Sequence, residues 1–121
     1  MLNCLAVGFG GFIGSVLRYL IGLIHLNESF AFPVKTFAVN IAGAFAIGII
    51  TALALKNAEL NPRLVLFLKV GICGGFTTFS TFALESARLF QDGRCVMAVL
   101  YIIFSTVLSV LAVLAAEALV K

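Results

Sequence analysis

Charge and reactive side chains are what this 121-residue chain has least of: eight Lys and Arg, five Asp and Glu, and a single histidine. Only 11% of residues are charged against 63% hydrophobic, with a mean hydropathy of +1.21. A soluble domain of this size has no means of hiding that much apolar surface. The three cysteines, Cys4, Cys73 and Cys95, make neither a CxxC pair nor an even-numbered disulfide framework, and they read as small hydrophobes rather than a metal or redox centre. No phosphate-binding glycine loop and no nucleophile with a partner base is visible, and His25 stands alone at a helix end, so the chain reads as a non-enzyme. Net charge is +3, but the basic residues are scattered along loops and helix ends without the stripe that nucleic acid requires, and anionic lipid headgroups explain them. Met1, Leu2 and Asn3 lack the basic start of a signal peptide, and no segment reads as a second domain.

Long apolar runs are abundant. About 20 such residues cross a bilayer core, and four runs fit, at 4–26, 36–55, 64–90 and 95–116. The links between them, 27–35, 56–63 and 91–94, hold breakers: Asn27, Glu28, Ser29 and Pro33; Asn57, Asn61 and Pro62; Asp92 and Gly93. The expected architecture is all-α, one domain of four membrane helices. Its third helix is expected to break at the middle, where Gly71, Gly74 and Gly75 fall within five residues. Each glycine weakens a helix by roughly 1 kcal/mol relative to alanine, and irregular backbone at membrane depth survives only where protein or water satisfies it. That combination predicts a buried break beside a polar path.

Basic residues give the insertion machinery little to read. With four spans, Lys56, Arg63 and Lys121 share one side, joined by Lys69 if it counts, and Lys35, Arg88 and Arg94 occupy the other. Insertion in both orientations, and with it an antiparallel homodimer, is the expectation. Four helices are also few to enclose a polar path. Small residues supply contact faces, Gly10 with Gly14 in the first span and Ala38, Ala42 and Ala46 in the second, without saying whether they meet within one chain or between two.

Polar side chains inside the spans fall into stripes: Thr77, Thr81, Glu85 and Arg88 in the third, Tyr101, Ser105 and Ser109 in the fourth, Thr36 and Asn40 in the second. Singly, such groups bond a carbonyl one turn back or tie helices together. Phe76, Phe79 and Phe82 recur every third residue, either as a packing stripe or as rings whose positive edges face an anion. With the Asn40 amide and the hydroxyls of Ser80 and Thr81, they make an uncharged anion path physically sensible. Arg18, deep in the expected first span, is expected to pair with backbone carbonyls or a partner subunit in a structural or vestibule role, and Glu85 is either a proton-coupled carboxylate or the partner of Arg88 near the interface.

Three motifs carry a resemblance: Gly10, Gly11, Gly14, Arg18 and Tyr19; Thr36, Asn40 and Gly43; and the run from Gly74 through Phe82, followed by Glu85. In length, span number and motif order the chain resembles the small fluoride channels called Fluc or CrcB. That resemblance implies a dual-topology homodimer with two pores in the plasma (inner) membrane, passing fluoride passively out of the cytoplasm and rejecting chloride. By it, Asn40 corresponds to the pore asparagine and Phe79 and Phe82 to the ring pair facing the ion. Ser80, Thr81, Tyr101, Ser105 and Ser109 belong to the polar track, and Glu85 lies near one mouth. It further implies a structural sodium ion at the dimer centre, held by the carbonyls of Gly74 and Thr77. Two positions depart from the pattern: Lys35 stands where the family commonly has glycine, and Ala83 where it often has serine. A small multidrug transporter is the nearest rival, but that class needs an acidic residue in the first span, where this chain has Arg18. A non-transporting membrane adaptor, the other rival, has no use for the asparagine, phenylalanine and hydroxyl constellation.

Overall fold

The computed structural model describes residues 1–25 and 32–121. Leu26, the expected end of the first span, and Asn27, Glu28 and Ser29 of the first link lie outside the described residues. Helix α1 is Leu2–Gly22, α2 is Val34–Lys56, and the third membrane segment begins with α3, Pro62–Leu66. A π-helical stretch Phe67–Cys73 and a short α4, Gly74–Phe76, continue it, α5 is Phe79–Gln91, and α6 is Cys95–Val120. Among the described residues four helical segments are long and apolar enough to cross a membrane, the third being the composite 62–91. The chain is therefore a multi-pass, all-helical membrane protein.

Local sequence accounts for the boundaries. Asn61 caps α3, its side-chain oxygen accepting from the Arg63 amide at 2.9 Å, with Pro62 at the first helical position where its missing N–H does no harm. Between α5 and α6 the chain turns at Gly93, the one described residue that combines turn position with a left-handed φ of 79°.

Two packing layers position the site. α2 runs along α6, and α1 runs along the π-helical stretch and α4. The second contact is a glycine seam: a methyl group built on Gly71 would lie 2.8 Å from the Gly10 Cα, and one on Gly75 would lie 2.6 Å from the Gly11 carbonyl oxygen. Gly14 packs directly on the Ile72 carbonyl. These helices meet backbone to backbone, the closeness that small residues permit when lipid supplies no hydrophobic drive. So the Gly10 and Gly14 face is used within the chain, whereas Ala38 and Ala42 remain exposed.

The seam also relocates the expected break. Gly71, Gly74 and Gly75 stay helical, and the extended residues are Thr77, with ψ 158°, and Thr78, with φ −149° and ψ 114°. Gly71 and Gly75 serve close approach, and the interruption falls on the two threonines behind them. Thr77 consequently leaves the stripe expected with Thr81, Glu85 and Arg88. Its hydroxyl donates back to the Cys73 carbonyl at 2.9 Å, and its methyl packs on Gly43 of α2.

Candidate functional site

The break is held open by side chains that take over the hydrogen bonds of the missing turn. The Asn40 side chain on α2 grips Thr78 from both sides, its oxygen accepting from the Thr78 amide at 2.8 Å and its NH₂ donating to the Thr78 carbonyl at 3.1 Å. Thr78 caps α5, its hydroxyl accepting from the Thr81 amide at 3.1 Å and lying 3.3 Å from the Ser80 hydroxyl. In an unbroken helix the Thr78 amide would serve the carbonyl of Gly74, and the Thr81 amide that of Thr77. Both amides are diverted, so the carbonyls of Gly74 and Thr77 are released from their helical donors. Arg18 Nε donates to the next carbonyl, that of Gly75, at 3.3 Å. The expectation that Arg18 would pair with backbone carbonyls holds. Its depth does not, because α1 ends at Gly22 and Arg18 sits one turn from that end.

Beside the break a groove of about 410 Å³ runs between α2, the broken helix and α6. Asn40, Thr77, Thr78, Phe79, Phe82, Ser105 and Ser109 line it, together with Gly43, Cys73 and Gly74, and among the described residues no lining residue is charged. The Ser105 hydroxyl is buried with no hydrogen-bond partner among the described residues, whereas Thr106 beside it bonds the carbonyl one turn back at 2.8 Å. An orphaned hydroxyl in a buried position is uncommon and calls for a partner the chain itself does not provide. Phe79 is 79% exposed in the single chain, its ring centroid 5.6 Å from that of Phe82 at an interplanar angle of 51°.

At the far side of Phe82 the polar groups are mutually satisfied. Tyr101 is fully buried, its ring centroid 5.1 Å from that of Phe82, and its hydroxyl donates to Glu85 Oε1 at 2.9 Å. Thr36 donates to Glu85 Oε2 at 2.9 Å. The carboxylate therefore joins α2, α5 and α6, and Arg88, its expected partner, is exposed and not among its partners. An (i, i+3) ion pair on one helix is worth a few tenths of a kcal/mol in water, whereas two hydroxyls aimed at a half-buried carboxylate replace the hydration it loses.

The structure thus brings Asn40, Phe79, Phe82, Ser105 and Ser109 to one groove and places Ser80 and Thr81 on the first turn of α5 beside it. Tyr101 and Glu85 stand behind the aromatic pair. Thr78, singled out by no spacing argument, is the hub of the break; its signal was a hydroxyl three residues ahead of Thr81, the spacing of a helix cap. The link from Lys35 Nζ to the Gly22 carbonyl, at 3.1 Å, left no trace in the sequence pattern.

The family model described as CrcB-like protein, Camphor Resistance (CrcB), matches residues 5–116. The chain belongs to the CrcB-like family. A relative in Ruminiclostridium cellulolyticum named fluoride-specific ion channel FluC is 43% identical over 122 residues, covering 100% of this chain and 94% of that protein. One of the same name in Chlorobaculum tepidum is 50% identical over 102 residues, 84% of this chain and 81% of its own length. A third, in Rhizobium meliloti, is 42% identical over 122 residues, 100% of this chain and 98% of the relative. The CrcB match spans all four membrane segments, and the glycine seam, the Asn40 clamp and the groove all lie inside it.

Proposed function

We propose that this CrcB-family chain is a fluoride-selective channel, not an enzyme, that lets fluoride leave the cytoplasm across the inner membrane and so lowers its intracellular level. The observation that carries the reading is a groove lined by neutral donors and aromatic rings, with the unpartnered Ser105 hydroxyl buried in its wall. Fluoride is small and strongly hydrated, so a selective path must replace its water with several donors at once, while a fixed cation would hold it too tightly for release. Asn40 keeps one amide N–H beyond the one given to Thr78, Ser105 offers its hydroxyl, and Ser80, Thr81 and Ser109 extend the set. The edges of Phe79 and Phe82 carry the positive end of the ring quadrupole and exclude water. Tyr101 is held by Glu85 at the end of the aromatic run. A potential negative inside drives an anion outward at about 2.3 kcal/mol per 100 mV, so no fuel is needed.

The assembly is proposed to be an antiparallel homodimer. The groove leaves Phe79 79% exposed, and the Ala38 and Ala42 face is uncovered, which a second copy would cover. The released carbonyls of Gly74 and Thr77 fit a hard cation that takes oxygen ligands, and they are the residues that would hold a structural sodium ion. When bound, it would neutralise carbonyl dipoles turned away from their own helix.

Growth in fluoride tests the function. Bacterial cells lacking fluoride export and expressing this chain are expected to tolerate fluoride that stops the parent, and the Asn40→Asp form is expected to give no protection. Equal growth of parent and complemented cells, with the protein present in the membrane, would remove the reading.

A further inference from the structure

One turn of α2 holds both residues of the break. Asn40 grips the Thr78 backbone, and Gly43, three residues on and buried, lies against Thr77. A methyl group built on Gly43 would overlap the Thr77 methyl and reach the Phe76 ring at 3.4 Å, so the bare glycine is the seat that the Thr77 methyl fills. On its other side the Thr77 hydroxyl donates to the Cys73 carbonyl at 2.9 Å. Methyl and hydroxyl are both fixed, and the β-branched side chain has one way to lie. The carbonyl of Thr77 and the amide of Thr78 belong to one planar trans peptide, in which C=O and N–H point in opposite directions. Because the Asn40 side-chain oxygen accepts from that amide at 2.8 Å, the released Thr77 carbonyl is aimed away from Asn40. Helix α2 therefore fixes this peptide at two points, a hydrogen bond at Asn40 and a methyl seat at Gly43.

We infer that Gly43 is a positioning residue for the cation that the carbonyls of Gly74 and Thr77 would hold: by seating the Thr77 methyl it sets the aim of the Thr77 carbonyl, and with it the cation affinity of the break. The inference rests on the sodium reading above and adds to it a residue that touches no ion. A side chain at this position cannot be accommodated without turning Thr77 or breaking its bond to Cys73, and either change moves the carbonyl. Groups that orient a metal ligand govern affinity almost as strongly as the ligand does. Gly48 supplies the comparison. It too is buried on α2 without room for a methyl group, which would lie 2.8 Å from the Ala116 Cβ and 2.9 Å from the Val113 carbonyl oxygen, but those neighbours belong to α6 and not to the broken helix.

Thermal unfolding of the full-length chain, purified in detergent at one protein concentration, tests this as sodium chloride replaces the chloride of a large organic cation at constant ionic strength. A cation that binds the folded protein raises its melting temperature, and the sodium concentration at which the rise sets in reports affinity without any fluoride flux. Gly43→Ala is expected to need about tenfold more sodium for the same rise, the lower end of what losing the support of a metal ligand costs. Gly48→Ala should melt lower than the native chain yet respond to sodium over the native range. Moving the methyl group from one facing residue to the other, in Gly43→Ala combined with Thr77→Ser, keeps the hydroxyl that bonds Cys73 and should return the response to the native range. Because the pair relieves the overlap, it also decides the matter if Gly43→Ala alone does not fold. A native sodium response in Gly43→Ala, or a displaced one in the pair, would make Gly43 a packing residue and overturn the inference. A native chain whose melting ignores sodium would remove the sodium reading and the inference with it, whereas the channel reading stands or falls on fluoride release from vesicles.

Discussion

Residues 62–76 and Phe79–Gln91 form one membrane segment, but they meet the rest of the chain in different ways. The first half lies against α1 through Gly10, Gly11, Gly14, Gly71 and Gly75, backbone on backbone, with no room for a methyl group at the closest points. The second half carries the hydroxyls and rings, touches α6 and α2 through Tyr101, Glu85 and Thr36, and leaves Phe79 largely bare. One half is a fixed wall. The other presents donors to a groove. Between them Asn40 and Thr78 stand in for one lost helical turn, so the wall need not bend for the groove to exist. The difference teaches that glycine in a membrane helix marks contact as readily as it marks a break.

The comparison breaks most severely at the seam. Gly14→Leu would drive a side chain into the Ile72 carbonyl and to within 3 Å of the Phe76 amide nitrogen, 2.8 Å away from the first side-chain carbon alone. Backbone cannot move aside cheaply, and a loss beyond the ~1–3 kcal/mol of ordinary overpacking is expected. No monodisperse protein should be recovered in detergent; a well-behaved Gly14→Leu would refute the backbone seam.

Substitutions on the groove side should spare folding and remove flux. Asn40→Asp keeps the acceptor for the Thr78 amide but sets a carboxylate against the Thr78 carbonyl and the passing anion, and fluoride release should fall more than about tenfold. Phe79→Ile removes an exposed ring and should reduce release several-fold, in line with the ~0.5–1.5 kcal/mol of an aromatic contact. Both should elute as the native protein does. Undiminished flux in the pair would take these side chains off the path.

Ser105→Ala sharpens the contrast because stability and function should separate. Its hydroxyl is buried without a partner, so removing it should leave the melting temperature unchanged or raised, an unsatisfied buried group being worth about 1–3 kcal/mol against folding, while fluoride release falls. A destabilised Ser105→Ala with native flux would mean that the hydroxyl serves packing. The smallest effect belongs to Gly74→Ala. A methyl group there meets nothing nearer than the Lys69 carbonyl at 4.0 Å, so thermal stability should change by less than about 1 kcal/mol, in contrast to its neighbour Gly75. A large loss at Gly74 would mean that its surroundings are closed in the working assembly, as a covering second copy would make them.

Much of this was legible in the sequence, for physical reasons that can be named. Four apolar runs longer than a bilayer core admit few other folds, and the motif from Gly74 to Phe82 sits where the helix is interrupted. Asn40 was legible as a polar group that could not be left unsatisfied at depth. Its grip on the Thr78 backbone was not, because the partner is a main-chain amide exposed only once the helix breaks. The break falls behind the glycines for a related reason: glycine propensity describes an isolated helix, whereas here α1 packs on Gly71 and Gly75 and the glycine stretch stays helical. Spacing along one helix offers Arg88 to Glu85, but tertiary partners on α2 and α6 take the carboxylate instead. Arg18 looked deeper than it is because α1 stops at Gly22.

Ion release from vesicles loaded with equal fluoride and chloride, followed by separate electrodes with the native chain as the only protein present, reaches the central claim most directly. Rapid loss of fluoride while chloride stays inside is the predicted result, since neutral donors and ring edges in a narrow groove suit the smaller, more strongly hydrated halide. Loss of both ions at equal rates, or retention of both, would contradict it.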